Sequence, residues 1–123
     1  MNTFPQASVK TTNFEHTAAL LDMLQKRLST LAKFLPDGET LLRCDVELEK
    51  TTSQQSGRIF RAECNLQVGG ELLRVEATEE KMEDAIERAK NELKRLLRRS
   101  RNKRQSMFLR GALRIKRMLR WSN

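Results

Sequence analysis

Apolar residues in this chain change period twice. They recur at helical spacing over residues 17–35, alternate strictly over residues 41–77, and return to helical spacing from residue 78 onward. In the first helical stretch Leu20, Leu21, Leu24, Leu28, Leu31, Ala32 and Leu35 share one arc of about 120°. Thr17 stands where an N-cap belongs, and Pro36-Asp37-Gly38 supplies turn chemistry that predicts an end near Leu35. Before it, residues 5–12 make a short and rather polar strand.

The alternating stretch predicts three strands. Leu42, Cys44, Val46 and Leu48 point one way in the first, against Arg43, Asp45, Glu47 and Glu49. Residues 51–57 form a polar loop. Phe60, Ala62, Cys64, Leu66 and Val68 then face inward, with Arg61, Glu63, Asn65 and Gln67 outward. Gly69-Gly70 is expected to provide the positive-φ residues of a tight hairpin into a strand with Leu73, Val75 and Ala77 inward and Leu72, Arg74 and Glu76 outward. In the last stretch Thr78 is the predicted N-cap, with Glu79 and Glu80 favourable in the first turn. Met82, Ala85, Ile86, Ala89, Leu93, Leu96 and Leu97 form the buried arc of that helix.

The resulting order is β-α-β-β-β-α, an α+β two-layer sandwich. A sheet that is apolar on one face only must receive both helices on that face, leaving the other to solvent. The strand–helix–strand crossover predicts a parallel, right-handed first connection, and the rest an antiparallel meander. Cys44 and Cys64 fall on inward strand positions as small core residues, and no Cys/His spacing suggests zinc. There is no apolar run of secretory or membrane-spanning length, so a soluble, cytoplasmic protein is expected.

Charge changes this picture. Residues 1–92 hold 12 Lys+Arg and all 16 Asp+Glu, a balance of −4, whereas residues 93–123 hold 12 Lys+Arg and no acid, a balance of +12. A block of that kind is a counterion-releasing surface for a polyanion. Lys90, Lys94, Arg98 and Arg101 form a narrow stripe beside the apolar arc of the last helix, with Arg95 and Arg99 further round and Lys103 and Arg104 just beyond. If the two helices lie side by side, Lys26, Arg27 and Lys33 would join that stripe. Residues 100–105 read as a linker or frayed helix end, dividing a domain at 1–104 from a basic extension at 105–123. In that extension Met107, Phe108, Gly111, Ala112, Ile115, Met118 and Leu119 share an arc, five basic residues occupy the remainder, and Leu109, Leu113 and Trp121 interrupt the polar side. Three readings stay open for it: docking on the domain or a partner, lying on RNA, or lying on a membrane surface.

The segments NFEHTAALLDMLQKRLSTLAKF, CDVELEK and GGELLRVEATEEKMEDAIERAKNELKRLLRRSR, in this order and spacing over residues 8–104, resemble the ribosome hibernation-promoting factors, the family that includes ribosome-associated inhibitor A, in its short form. The resemblance implies a fold similar to double-stranded-RNA-binding domains. It also implies binding in the cleft of the small ribosomal subunit, where messenger and transfer RNA would sit, with translation stopped by occlusion. By position Lys26, Arg27, Lys94, Arg95, Arg98, Arg99 and Arg101 would meet the rRNA backbone. This suits recognition of shape and phosphate, because the exposed sheet face carries no stacking aromatics and the chain has no Tyr. Ribosomal proteins are possible further contacts, and the free protein is expected to be a monomer. The extension is not explained by the family pattern.

Little else points to chemistry. His16, the only histidine, stands beside Glu15 with no nucleophile to partner, so no enzyme, small-molecule substrate, metal or cofactor is expected. The competing classes are a generic structured-RNA or DNA-binding module and a peripheral membrane protein held by residues 106–121. For the domain itself no membrane partner is expected.

Overall fold

A computed structural model describes residues 2–121, apart from the side chains of Arg120 and Trp121, so the expected position of the Trp121 ring lies outside the described residues. The elements run β1 (Ser8–Thr12), α1 (Ala18–Ser29), a 3-10 turn (Ala32–Phe34), β2 (Leu42–Lys50), β3 (Phe60–Val68), β4 (Glu71–Glu79) and α2 (Met82–Trp121). The sheet order is β1-β2-β3-β4, with β1 parallel to β2 and the other two pairings antiparallel. This is the expected α+β sandwich.

Strand parity is as the alternation requires. Cys44, Val46 and Leu48 of β2, Ala62, Cys64, Leu66 and Val68 of β3, and Leu73, Val75 and Ala77 of β4 are all buried. They meet Leu24, Leu28, Leu31 and Leu35 from the first helical region and Met82, Ala85, Ile86, Ala89, Leu93 and Leu97 from α2 in one core. Cys44 and Cys64 are free thiols with Sγ atoms 3.6 Å apart. The Cys44 hydrogen bond and burial push the Cys64 thiol far up, so it stays neutral, and both side chains serve as packing. Phe4, ahead of β1, also enters the core. Gln25 of α1 pins that segment, accepting from the Ala7 N–H (2.9 Å) and donating to the Pro5 carbonyl (3.1 Å).

Three expectations are corrected. First, α1 ends at Ser29 rather than near Leu35, and the chain tightens into the 3-10 turn. The hydroxyls of Ser29 and Thr30 donate to the carbonyls of Gln25 (2.7 Å) and Arg27 (2.6 Å), competing with the helical ladder at that point. The N-cap is as predicted: Thr17 Oγ1 accepts from the Leu20 N–H at 3.1 Å.

Second, Thr78 is not a cap. It pairs with Arg61 inside β4, which continues to Glu79, so α2 begins at Met82. One cap bond loses to a ladder in which β3 offers a partner for every residue from Glu71 to Glu79. Only Gly69 of the hairpin glycines takes the left-handed conformation (φ 60°).

Third, residues 100–105 neither link nor fray: α2 runs unbroken for 40 residues, a rod of about 60 Å. SRNKRQ holds no Gly or Pro, and most of its residues are good helix formers. Arg104 also donates to Ser100 Oγ one turn back at 2.7 Å. Gly111 is carried inside the helix at a cost of about 1 kcal/mol relative to alanine.

Candidate nucleic-acid interface

The outer sheet face and the outward side of α2 are both charged, but only the first is paired throughout; on α2 the pairing stops at Arg95. On the sheet Arg61 reaches Glu47 (3.0 Å), Glu49 (3.2 Å) and Glu76 (2.8 Å), and also contacts Glu63. Arg74 joins Glu63 at 2.8 Å, and Arg43 joins Asp45 at 2.9 Å. Burial alone would raise the Glu63 pKa, but hydrogen bonds from Asn65 and Arg61 and the charges of Arg61 and Arg74 hold it below the usual carboxylate range.

On α2 the sequence forces a different outcome. Leu93 and Leu97, both fully buried, fix the rotation of the helix on the sheet. Lys94, Arg98 and Arg101, at i, i+4 and i+7, are thereby turned to one outward face. The 3-10 turn delivers Lys33 to that face. Lys33, Phe34, Lys94, Arg98, Arg101, Asn102 and Gln105 line an open hollow of about 510 Å³. A second hollow of about 510 Å³ on the adjoining face is lined by Asn91, Lys94, Arg95, Arg98, Arg99 and Asn102. Lys94 and Arg98 are common to both, so the two hollows form one basic surface along the helix.

Phe34 organises its centre. The ammonium groups of Lys33 and Lys94 lie 5.3 Å and 6.0 Å from its ring centroid. The ring's quadrupole attracts both cations and offsets part of their mutual repulsion. Phe34, Asn91, Asn102 and Gln105 did not stand out in the sequence. A single aromatic beside one lysine at a helix end is too weak a signal, because its second cation, Lys94, is sixty residues away in the chain.

The predicted site residues fall into two groups. Among the described residues, Lys33, Lys94, Arg98, Arg99, Arg101 and Lys103 make no ion pair with a carboxylate; Arg99 and Lys103 border a hollow on the β4 side of the helix. The others have partners. Arg27 and Lys90 share Glu87, at 3.0 Å and 2.7 Å, and Arg27 also donates to the Glu83 carbonyl, tying α1 to α2. The Lys90 hydrogen bond, helped by Arg27, keeps the Glu87 carboxyl below its ordinary range despite partial desolvation. Lys26 pairs with Asp22 (3.0 Å) and Arg95 with Glu92 (3.1 Å), both exposed and weakly held. Arg104 is taken up by Ser100. The helices do lie side by side, but the residue that extends the α2 stripe is Lys33, while Arg27 is spent on the helix–helix contact.

A row of unpaired guanidinium and ammonium groups on a rigid helix is suited to phosphate oxygens spaced along a polyanion. The hollows are open rather than enclosed, which suits an extended polyanion better than a small ligand. No cluster of three or more metal-ligating side chains exists among the described residues.

The family model described as Sigma 54 modulation protein / S30EA ribosomal protein matches residues 7–105. Among solved structures, the Protein Y N-terminal domain of Thermus thermophilus is similar at 27% identity and a TM-score of 0.61, over 80% of this chain and 98% of that one. A ribosomal subunit interface protein from Coxiella burnetii shares the fold at 12% identity and a TM-score of 0.57, over 76% of this chain and 97% of that one. No curated protein matches the sequence significantly.

Proposed function

The chain belongs to the Sigma 54 modulation protein / S30EA ribosomal protein family, a family of ribosome-associated hibernation and modulation factors, and from that premise we propose that it silences the small ribosomal subunit by lying in its messenger and transfer RNA cleft. In this reading Lys33, Lys94, Arg98 and Arg101 meet rRNA phosphates, with Arg95, Arg99 and Lys103 flanking them and Lys26 and Arg104 at the margins. Arg27 and Lys90 act indirectly, by holding α1 against α2 through Glu87. The action is occlusion: a folded domain in the cleft and transfer RNA exclude each other, and no covalent chemistry is needed.

The observation that carries this reading is the uncompensated part of the stripe. Every charge on the sheet's outer face near Arg61 has an internal partner, whereas Lys94, Arg98 and Arg101 of α2, with Lys33 beside them, have no carboxylate partner within the described residues, and Glu92 is the last acid in the chain. The four cations held on one face, Lys33, Lys94, Arg98 and Arg101, repel one another, and a polyanion relieves that repulsion while releasing counterions. A generic RNA or DNA binder would share the stripe, and its binding would fall steeply with salt on any nucleic acid alike.

Sedimentation of the purified protein with separated ribosomal subunits on sucrose gradients, at low and moderate salt, tests the proposal. Saturable association with the small subunit that transfer RNA displaces is the expected result. Equal binding to both subunits and to free RNA, abolished by moderate salt, would replace it with the generic reading.

A further inference from the structure

Beyond residue 105, where the family match ends, α2 leaves the domain and continues as a free-standing arm. Ser100 is its last buried residue, and from Gln105 to Leu119 every side chain is exposed. Residues 106–121 extend about 24 Å. Large apolar groups on this arm stand in water: Met107, Phe108, Leu113, Ile115 and Met118 are between 58% and 75% exposed. Such a density of apolar surface on a soluble protein marks a binding face.

Docking on the chain's own domain is therefore not what the arm does. Three occupants remain, and its chemistry separates them. Met107, Phe108, Ile115 and Met118 share an arc of about 100° at helical spacing, with Arg114 on one border, Lys116 beyond the other, and Arg110 and Arg117 behind together with the exposed Leu109 and Leu113, which stay outside the arc. No acidic residue occurs anywhere on the arm. A second copy of the arm would match the apolar arc but bring the same unbalanced positive charge against it. RNA would answer the charge and leave the apolar side chains in water. A bilayer with anionic headgroups answers both: the apolar arc enters the acyl boundary while the bordering cations reach back to the headgroups. No helix among the described residues is long and apolar enough to cross a membrane, so the arm would lie in the interface.

We propose that the arm, residues 106–121, is an interfacial anchor for anionic lipid bilayers, separate from the basic surface around Lys94. The domain would then be tethered at a membrane by one end of α2 while the other end holds the fold together.

The test uses the full chain with vesicles of phosphatidylcholine alone or mixed with phosphatidylglycerol. Flotation is read together with the emission of Trp121, the chain's single tryptophan. The expected result is flotation with the mixed vesicles only, a blue shift on binding, and a loss of roughly tenfold or more in Phe108→Asp/Ile115→Asp. Both positions are exposed, so the fold should survive, and circular dichroism checks this. Sedimentation of the same variant with small subunits should be unchanged, which keeps this inference independent of the ribosome reading. Three results overturn it: no flotation with anionic vesicles; flotation unaltered by the double variant, which would reduce it to loose charge attraction; or vesicles ignored while the variant loses ribosomes, which would assign the arm to RNA or a ribosomal protein.

Discussion

The outer sheet face and the outward face of α2 use the same residue types to opposite ends. On the sheet, Arg61 is 18% exposed and held among four carboxylates, so its charge is consumed by the fold. On α2, Lys94, Arg98 and Arg101 meet no acid and stay available. A residue count would not distinguish the faces; pairing does. Charges closed on themselves stabilise, and charges left open await a partner.

Leu93→Asp should break both faces at once. Leu93 is fully buried where α2 meets the sheet, and an unpaired carboxylate there costs on the order of 4 kcal/mol or more. Loss of a cooperative thermal transition is the expected outcome, and a normal one would mean that the helix is rotated from the position described.

Reversing the open face should separate binding from stability. Lys94→Glu/Arg98→Glu/Arg101→Glu is expected to weaken small-subunit association by more than about a hundredfold. Its thermal midpoint should change little, because these side chains make no ion pair within the described residues and the one internal contact, Lys94 over the Phe34 ring, is weak. Normal co-sedimentation would show that the stripe is not the binding surface.

Opening the closed face should do the reverse. Arg61→Ala leaves Glu63 buried beside like charges and should cost about 2–3 kcal/mol in denaturant titrations, with ribosome association intact. Acid sharpens this. The folded-state pKa of Glu63 is depressed, so its stabilising contribution is present above the ordinary carboxylate value of 4.5 and is lost as pH falls through the lower folded value. Arg61→Ala removes much of that depression and should move the acid-unfolding midpoint upward. An unchanged midpoint would show the pairing to be incidental.

The smallest effect is expected at Phe34. Phe34→Leu keeps most of the packing but removes the ring face that holds Lys33 and Lys94, and should weaken association roughly threefold. No change in affinity would reduce the aromatic to core filler.

Most of the architecture follows from local pattern. Alternation at Cys44, Val46 and Leu48 fixes which strand face is buried, and the leucines at 20, 24 and 28 fix the first helix, because side-chain direction repeats with backbone geometry wherever the segment ends up. The excess of cations after Glu92 is likewise plain from the chain alone. Three things were settled only by tertiary structure. Thr78 is a strand residue because Arg61 lies opposite it, which no local cap signal reveals. Arg27 and Lys90 are spent on Glu87 while Lys33 stands open beside Lys94, since pairing depends on groups that folding brings together. The arm continues α2 in a single rod, and its apolar arc stays in water because it extends past the end of the core that could have covered it.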